Sequence, residues 1–239
     1  MEIKTTRGPG TGTSCHRDAS PHLDSGRPRP RRAMKRLILA PHMDDEAMGC
    51  GGLMAKHPDE CVVVVMTDSG EVRAAEHQNA MEILGVSESR VLGFPDGETP
   101  AHMSEMVGAI DAIMAELKPD ELYLPYPSLH QDHISVYEAG MRSCRVSMSL
   151  DHWFPPSVYV YDIAVYDVNL YPTDLRWNVF EALTEEQITQ KERACQAYQS
   201  EIPTEVHPIN SVRQIAGALG QVRLVPYAEQ FALVRTVRR

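Results

Sequence analysis

Long apolar runs are missing from this chain of 239 residues. The longest, Val62–Met66, falls far short of the roughly 18 to 20 residues that cross a bilayer, so no membrane span is expected. Cysteine is sparse and carries no pattern: Cys15, Cys50, Cys61, Cys144 and Cys195 are odd in number, widely spaced and without a C-x-x-C pair. That argues against a disulfide framework or a cysteine zinc site, and points to reduced thiols in a cytoplasm-like compartment. The first residues lack the apolar stretch of a secretory signal, and no internal repeat is evident. Basic charge is scarce beyond the leader, since residues 1–33 carry a net +4 and the remainder −14. An acidic body disfavours nucleic acid or an anionic membrane as the main partner. Whether copies of the chain associate as a homo-oligomer is left open.

The leader ends in Arg27-Pro28-Arg29-Pro30-Arg31-Arg32 and is rich in Gly, Pro, Ser and Thr. A nucleic-acid arm or a transit peptide would use such residues, but a solvated, disordered tail is the stronger reading. The expected division is therefore a basic leader over 1–33 and one domain over 34–239, with Met34 as the start of the folded part. At 43% hydrophobic, a chain of this length can bury one substantial core.

From Lys35 on, strand-like and helix-like segments alternate, as in a parallel sheet covered by helices. Strands are expected at Lys35–Ala40, Cys61–Thr67, Arg90–Gly93, Glu121–Pro125, Val158–Asp162 and Phe231–Val234. Helices are expected near 45–56, 74–84 with Gly85 closing it, 106–117 stopped by Pro119, 134–145, 184–198 and 212–219. The fold class is α/β, Rossmann-like, with a mostly parallel sheet, helices on both faces, and a site at the carboxyl ends of the strands.

Chemistry concentrates after the first strand, in Pro41-His42-Met43-Asp44-Asp45-Glu46. An imidazole and a carboxylate three residues on can hold one divalent metal, while the carboxylate between them stays free to move protons. A missing ligand can come from His130-Gln131-Asp132-His133, a loop after the fourth strand. Right-handed crossovers keep these strand ends on one edge, which also brings Asp68, Arg73 and Asp96 to the crevice as substrate-contact candidates.

These residues resemble the zinc-dependent N-deacetylases of the LmbE-like or PIG-L type. His42-Met43-Asp44-Asp45-Glu46 is similar to the family's His-Pro-Asp-Asp-Glu, with Gly49-Cys50-Gly51-Gly52 behind it, and His130-Gln131-Asp132-His133 to its His-x-Asp-His. Thr67-Asp68-Ser69-Gly70, Arg73 with Glu76, Leu92 to Gly97, Asn178-Val179-Phe180 and Ala197 to Ser200 also look like the family, so the resemblance covers about 34–237. Met43 and Gln131 stand where the family has proline, which bears on loop rigidity. The resemblance implies a hydrolase that frees acetate and an amine from an N-acetylglucosamine-type sugar or glycoconjugate. It implies zinc, or another divalent metal, on His42, Asp45 and His133. Asp44 would be the general base and a protonated His130 would stabilise the oxyanion. Asp132 would orient a neighbouring histidine, and Arg73 and Asp96 would bind sugar.

Each element also has a plainer reading. Asp44-Asp45-Glu46 suits the first turn of any helix, Arg73 and Glu76 suit an exposed ion pair, and Asp96-Gly97 suits a turn. His57, His77, His152 and His207 look like surface or core histidines, with His207 in a late loop able to close over a crevice. A dinucleotide-dependent Rossmann oxidoreductase is the competing function, with Asp68 as the ribose acid. It is disfavoured because the glycines do not spell G-x-G-x-x-G and lie inside the expected helix. A sugar-binding protein without catalysis is disfavoured because Asp44 and all three ligand candidates are present.

Overall fold

The computed structural model describes residues 33–149, 151–163, 172–201 and 208–238. The expected His207 and the leader up to residue 32 lie outside them. Among the described residues seven strands form one sheet: β1 (Arg36–Ala40), β2 (Cys61–Asp68), β3 (Glu88–Pro95), β4 (Glu121–Pro125), β5 (Ser157–Tyr161), β6 (Trp177–Leu183) and β7 (Tyr227–Thr236). Their order is β3-β2-β1-β4-β5-β7-β6. The first five pair parallel; β7 runs antiparallel to both β5 and β6. This is the expected Rossmann-like sheet, mostly parallel.

Alternation along β1 shows why helices cover both faces. Leu37 and Leu39 enter one core with β2's Val62, Val64 and Met66, and Ile38 and Ala40 enter the other with Val63 and Val65. A strand buried on both sides reads as a continuous apolar run. Helices α1 (Asp45–Lys56), α2 (Gly70–Leu84) and α5 (Glu185–Gln196) cover one face. On the other lie α3 (Met103–Leu117) and α4 (Gln131–Ser143); α6 (Val212–Gln221) packs by β7. No helix among the described residues is long and apolar enough to cross a membrane. Because β4 lies on the far side of β1 from β2 and β3, chain direction across the sheet reverses between β1 and β4. The crevice for a ligand falls there.

Element existence follows the sequence more closely than element ends. Helix α2 begins at Gly70, four residues early, where Asp68 Oδ1 accepts the Gly70 N–H at 2.9 Å and turns the chain. Helix α4 begins at Gln131, so Asp132 and His133 lie on its buried first turn and not in a loop. Strand β6 was not anticipated: it is a half-exposed edge with Asn178 and Glu181 among its residues, and no apolar run marks it. Strand β7 is longer than expected because Glu229 interrupts its apolar pattern. That carboxylate is buried, pairs with Lys191 Nζ at 2.6 Å, and accepts the Gly52 and Leu53 N–H groups at 2.7 Å each.

The glycines of α1 serve close approach. A Cβ on Gly49 would sit 2.1 Å from the Tyr161 ring, and one on Gly52 2.3 Å from Leu183 Cδ1 and 2.9 Å from Glu229 Cδ. The helix is pressed against β5, β6 and β7 with no room for a dinucleotide over these residues, so the oxidoreductase reading loses its cradle. Gly52→Ala is expected to cost about 1–3 kcal/mol through overpacking. Gly108→Ala, at an open position of α3, should gain about 0.5–1 kcal/mol. Urea unfolding midpoints of the two variants check the contrast.

Candidate metal centre

The turn after β1 is held by its neighbours. Thr67, at the end of β2, grips the Pro41 carbonyl through both its N–H (3.1 Å) and its hydroxyl (2.8 Å). The His42 N–H donates to Asp45 Oδ2 at 3.0 Å, and the Asp44 carbonyl accepts the Met48 N–H at 2.9 Å to start α1. Between them Asp44 takes φ 147° and ψ −32°, a region L residues rarely enter. Such a backbone costs about 1–3 kcal/mol and persists only where its surroundings over-determine it.

Three donor atoms from two strand ends meet beside this turn. His42 Nδ1 lies 3.3 Å from Asp45 Oδ2, His133 Nε2 lies 3.3 Å from the same oxygen, and the two ring nitrogens are 3.3 Å apart. A tetrahedral cation with ligand bonds of about 2.0 to 2.2 Å separates its donors by about 3.3 to 3.6 Å, so this triangle has the edge such an ion needs. Two other groups also cluster within 4.8 Å: His42, His130 and His133, and His42, Asp96 and Asp132. The second fits an ion less well, because both Asp132 oxygens are already committed to hydrogen bonds.

Asp132 has no exposed surface. Its Oδ2 accepts the Gly97 N–H at 2.7 Å and lies 3.1 Å from His42 Nε2; its Oδ1 accepts the Thr99 hydroxyl at 2.6 Å and the Thr99 N–H at 3.3 Å. Burial opposes its charge, but the bonds from His42, Thr99 and Gly97 outweigh it and hold the carboxyl well below the usual range. In the neutral form of the His42 ring, an ionised Asp132 keeps the remaining proton on Nε2 and leaves Nδ1 as the lone pair facing the triangle. His133 is set likewise, its Nδ1 3.1 Å from Ser128 Oγ, which leaves Nε2 for the triangle. Ser128 and Thr99 escaped the sequence reading, since a serine or threonine in a loop signals only a turn.

Adjacent carboxylates are driven apart. Burial raises Asp44 well above its ordinary value, reinforced by the charges of Asp45 and Glu46 and offset in part by Arg73. Asp45 is equally buried, yet the charges and hydrogen bonds of His133 and His42 overcome burial and hold it far below. One is pushed toward holding a proton, the other toward remaining an anion. His130 accepts the Asp132 N–H at Nδ1 (3.3 Å), which leaves its ring proton on Nε2. Burial, then the positive charges of His42 and His133, keep His130 below its ordinary value. Both causes act against the protonated ring that the resemblance implied.

The two residues expected to bind sugar part company. Asp96 is 53% exposed, with Oδ1 3.2 Å from His42 Nε2. Arg73 is largely buried and turned inward: Nη1 donates to the Met43 carbonyl at 2.7 Å and lies 3.5 Å from Asp44 Oδ2, while Nη2 pairs with Glu201 at 2.5 Å. It does not pair with Glu76, which instead binds the Ser200 N–H and hydroxyl at 2.9 and 2.6 Å. Asp68 is exposed at the end of β2 and outside the cluster.

Residues 37–144 match the family model described as PIG-L: GlcNAc-PI de-N-acetylase. The "Uncharacterized deacetylase YaiS" of Escherichia coli (strain K12) is 28% identical over 179 residues, spanning 69% of this chain and 90% of that protein. "Diacetylchitobiose deacetylase" of Thermococcus kodakarensis is 32% identical over 120 residues, 41% of this chain and 45% of that enzyme, so the match spans less than half of it. The solved structure of N,N'-diacetylchitobiose deacetylase from Pyrococcus horikoshii shares the fold, with a TM-score of 0.68 at 24% identity over 84% of each chain.

Burial opposes the charge of His42 as well, but the hydrogen bonds and charges of Asp132, Asp45 and Asp96 push it up from 6.5 to about 10. A raised histidine contributes stability that is complete below its unfolded value and lost as pH climbs through its folded one. In metal-free protein, the stability difference between wild type and His42→Gln is expected to shrink from pH 6.5 to about 10. Urea unfolding across that interval measures it.

Proposed function

We propose that this chain, a deacetylase of the PIG-L family, removes the acetyl group from an N-acetylglucosamine-type amino sugar or its conjugate, with zinc held by His42 Nδ1, Asp45 Oδ2 and His133 Nε2. The observation that carries the reading is the triangle of 3.3 Å edges at the β1 and β4 ends, with the raised carboxyl of Asp44 next to it. Two imidazoles and a carboxylate are a donor set of catalytic zinc, with a coordination position left open. The Thermococcus relative, named a diacetylchitobiose deacetylase, supports an amino-sugar substrate.

When bound, the cation supplies Lewis acidity, lowering the pKa of a water and polarising the amide carbonyl. Asp44 accepts the proton of the attacking water as the new C–O bond forms. His130 donates from Nε2 toward the carbonyl oxygen as charge gathers there. Asp44 then delivers its proton to the departing nitrogen, the C–N bond breaks, and acetate and a free amine leave. Asp132 and Ser128 keep the two ligand rings in their binding tautomers. Asp96, open to the crevice, is the acceptor we assign to sugar hydroxyls; Arg73 acts inward, on the Asp44 turn.

Amine release from a panel of N-acetylglucosamine conjugates, with metal analysis of the purified protein, tests this reading. One cation per chain is expected, lost in His133→Ala. Asp44→Asn should keep the cation while kcat falls about 10²- to 10⁴-fold. Binding that survives His133→Ala, or turnover that survives Asp44→Asn, would sink it. Because the apo His42 is protonated at neutral pH, cation binding there should release about one proton from that ring and weaken as pH falls. Calorimetry in buffers of different ionisation enthalpy reads the released proton.

A further inference from the structure

Glu46 is fully buried, and none of the bonds described above for His42, Asp45 and His133 involves it. Its surroundings are nonetheless costly to build. Oε1 accepts the Tyr198 hydroxyl and lies 3.2 Å from His77 Nδ1; Oε2 accepts the Asp44 N–H at 3.2 Å. His77 Nδ1 is in turn 2.9 Å from the Tyr198 oxygen, and its Nε2 is 2.7 Å from Ser89 Oγ. Tyr198 and His77 are themselves buried, so the carboxylate is held by α2, β3 and the chain after α5 together. A buried polar network of this kind contributes little net stability over apolar packing, which directs attention to what it holds in place.

What it holds is one peptide plane. The Asp44 N–H on Glu46 and the Met43 carbonyl on Arg73 Nη1 (2.7 Å) belong to the same peptide unit. That unit is the one whose orientation sets the Asp44 φ of 147°. Its two polar ends are gripped from different elements, α1 and α2. Released from either grip, the plane can rotate to relieve the strained φ, and the Asp44 carboxylate turns with it.

We propose that Glu46, held by His77 and Tyr198, is a positioning residue that clamps the Met43–Asp44 peptide together with Arg73 and so aims the Asp44 carboxylate. The proposal rests on the reading of Asp44 as the proton carrier. Glu46 touches no reacting atom in it and acts wholly through Asp44.

The test compares wild type, Glu46→Gln and Tyr198→Phe, the last a guard against a Glu46 variant that fails to fold, each in the native and the Asp44→Asn background. With kcat falling about 10- to 100-fold for a small misplacement, KM and cation affinity should stay within about threefold of wild type. The loss should vanish in the Asp44→Asn background, because a residue acting only through Asp44 has nothing left to aim. An equal loss in both backgrounds, or a fall in cation affinity that tracks kcat, overturns the clamp. The second readout needs no turnover: the Asp44 amide proton, shifted downfield by its carboxylate partner, should move upfield in Glu46→Gln by NMR. Wild-type inactivity on the whole substrate panel would count against the deacetylase reading alone. The amide shift then decides the clamp by itself, upholding it if moved and overturning it if unmoved.

Discussion

Asp132 is the group on which the geometry turns. One carboxylate, removed from water, receives two donors from Thr99, one from Gly97 and one from His42. That nearly saturates the lone pairs a carboxylate offers. The loop after β3, the first turn of α4 and the turn after β1 are thereby joined through a single side chain. The cost of burying its charge is met only while all the partners stay in place. Ring orientation at His42, the position of Asp96 and the start of α4 are consequences of one satisfied anion.

Next to it, two identical side chains in sequence acquire opposite characters. Asp45 lies at the first position of α1 between two imidazoles, and their charge holds it ionised. Asp44 has burial and two like charges for company, with Arg73 a partial counterweight. No property of the dipeptide distinguishes them; the backbone does, because an unusual φ at Asp44 sends adjacent carboxylates into different environments. Strain at that one residue is the means of separating a permanent anion from an exchangeable one.

Much of this was legible in the chain and some of it was not. His42, Asp44 and Asp45 lie within four residues, so spacing alone places them together. His133 required the further inference that β1 and β4 end on one edge, which the alternation of strands and helices supports and the sheet order bears out. The failures have a common cause, namely residues whose partners are remote in sequence. Glu229 disguises β7 because its partner is Lys191, and β6 is an edge strand with little to bury. Arg73, expected at the sugar, has the Met43 carbonyl and Glu201 beside it, partners that sequence spacing does not show. Ser128 and Thr99 became visible only when the rings they serve had positions.

The Glu229–Lys191 pair carries a further consequence. It ties β7 and α5 to the backbone of α1 at Gly52 and Leu53, seven residues beyond the aspartate of the triangle. None of the three triangle donors comes from beyond residue 144, and the family match also ends there. The span of the family-model match and the span of the ties that hold α1 therefore differ: β7 and α5, both beyond residue 144, anchor the helix that carries Asp45.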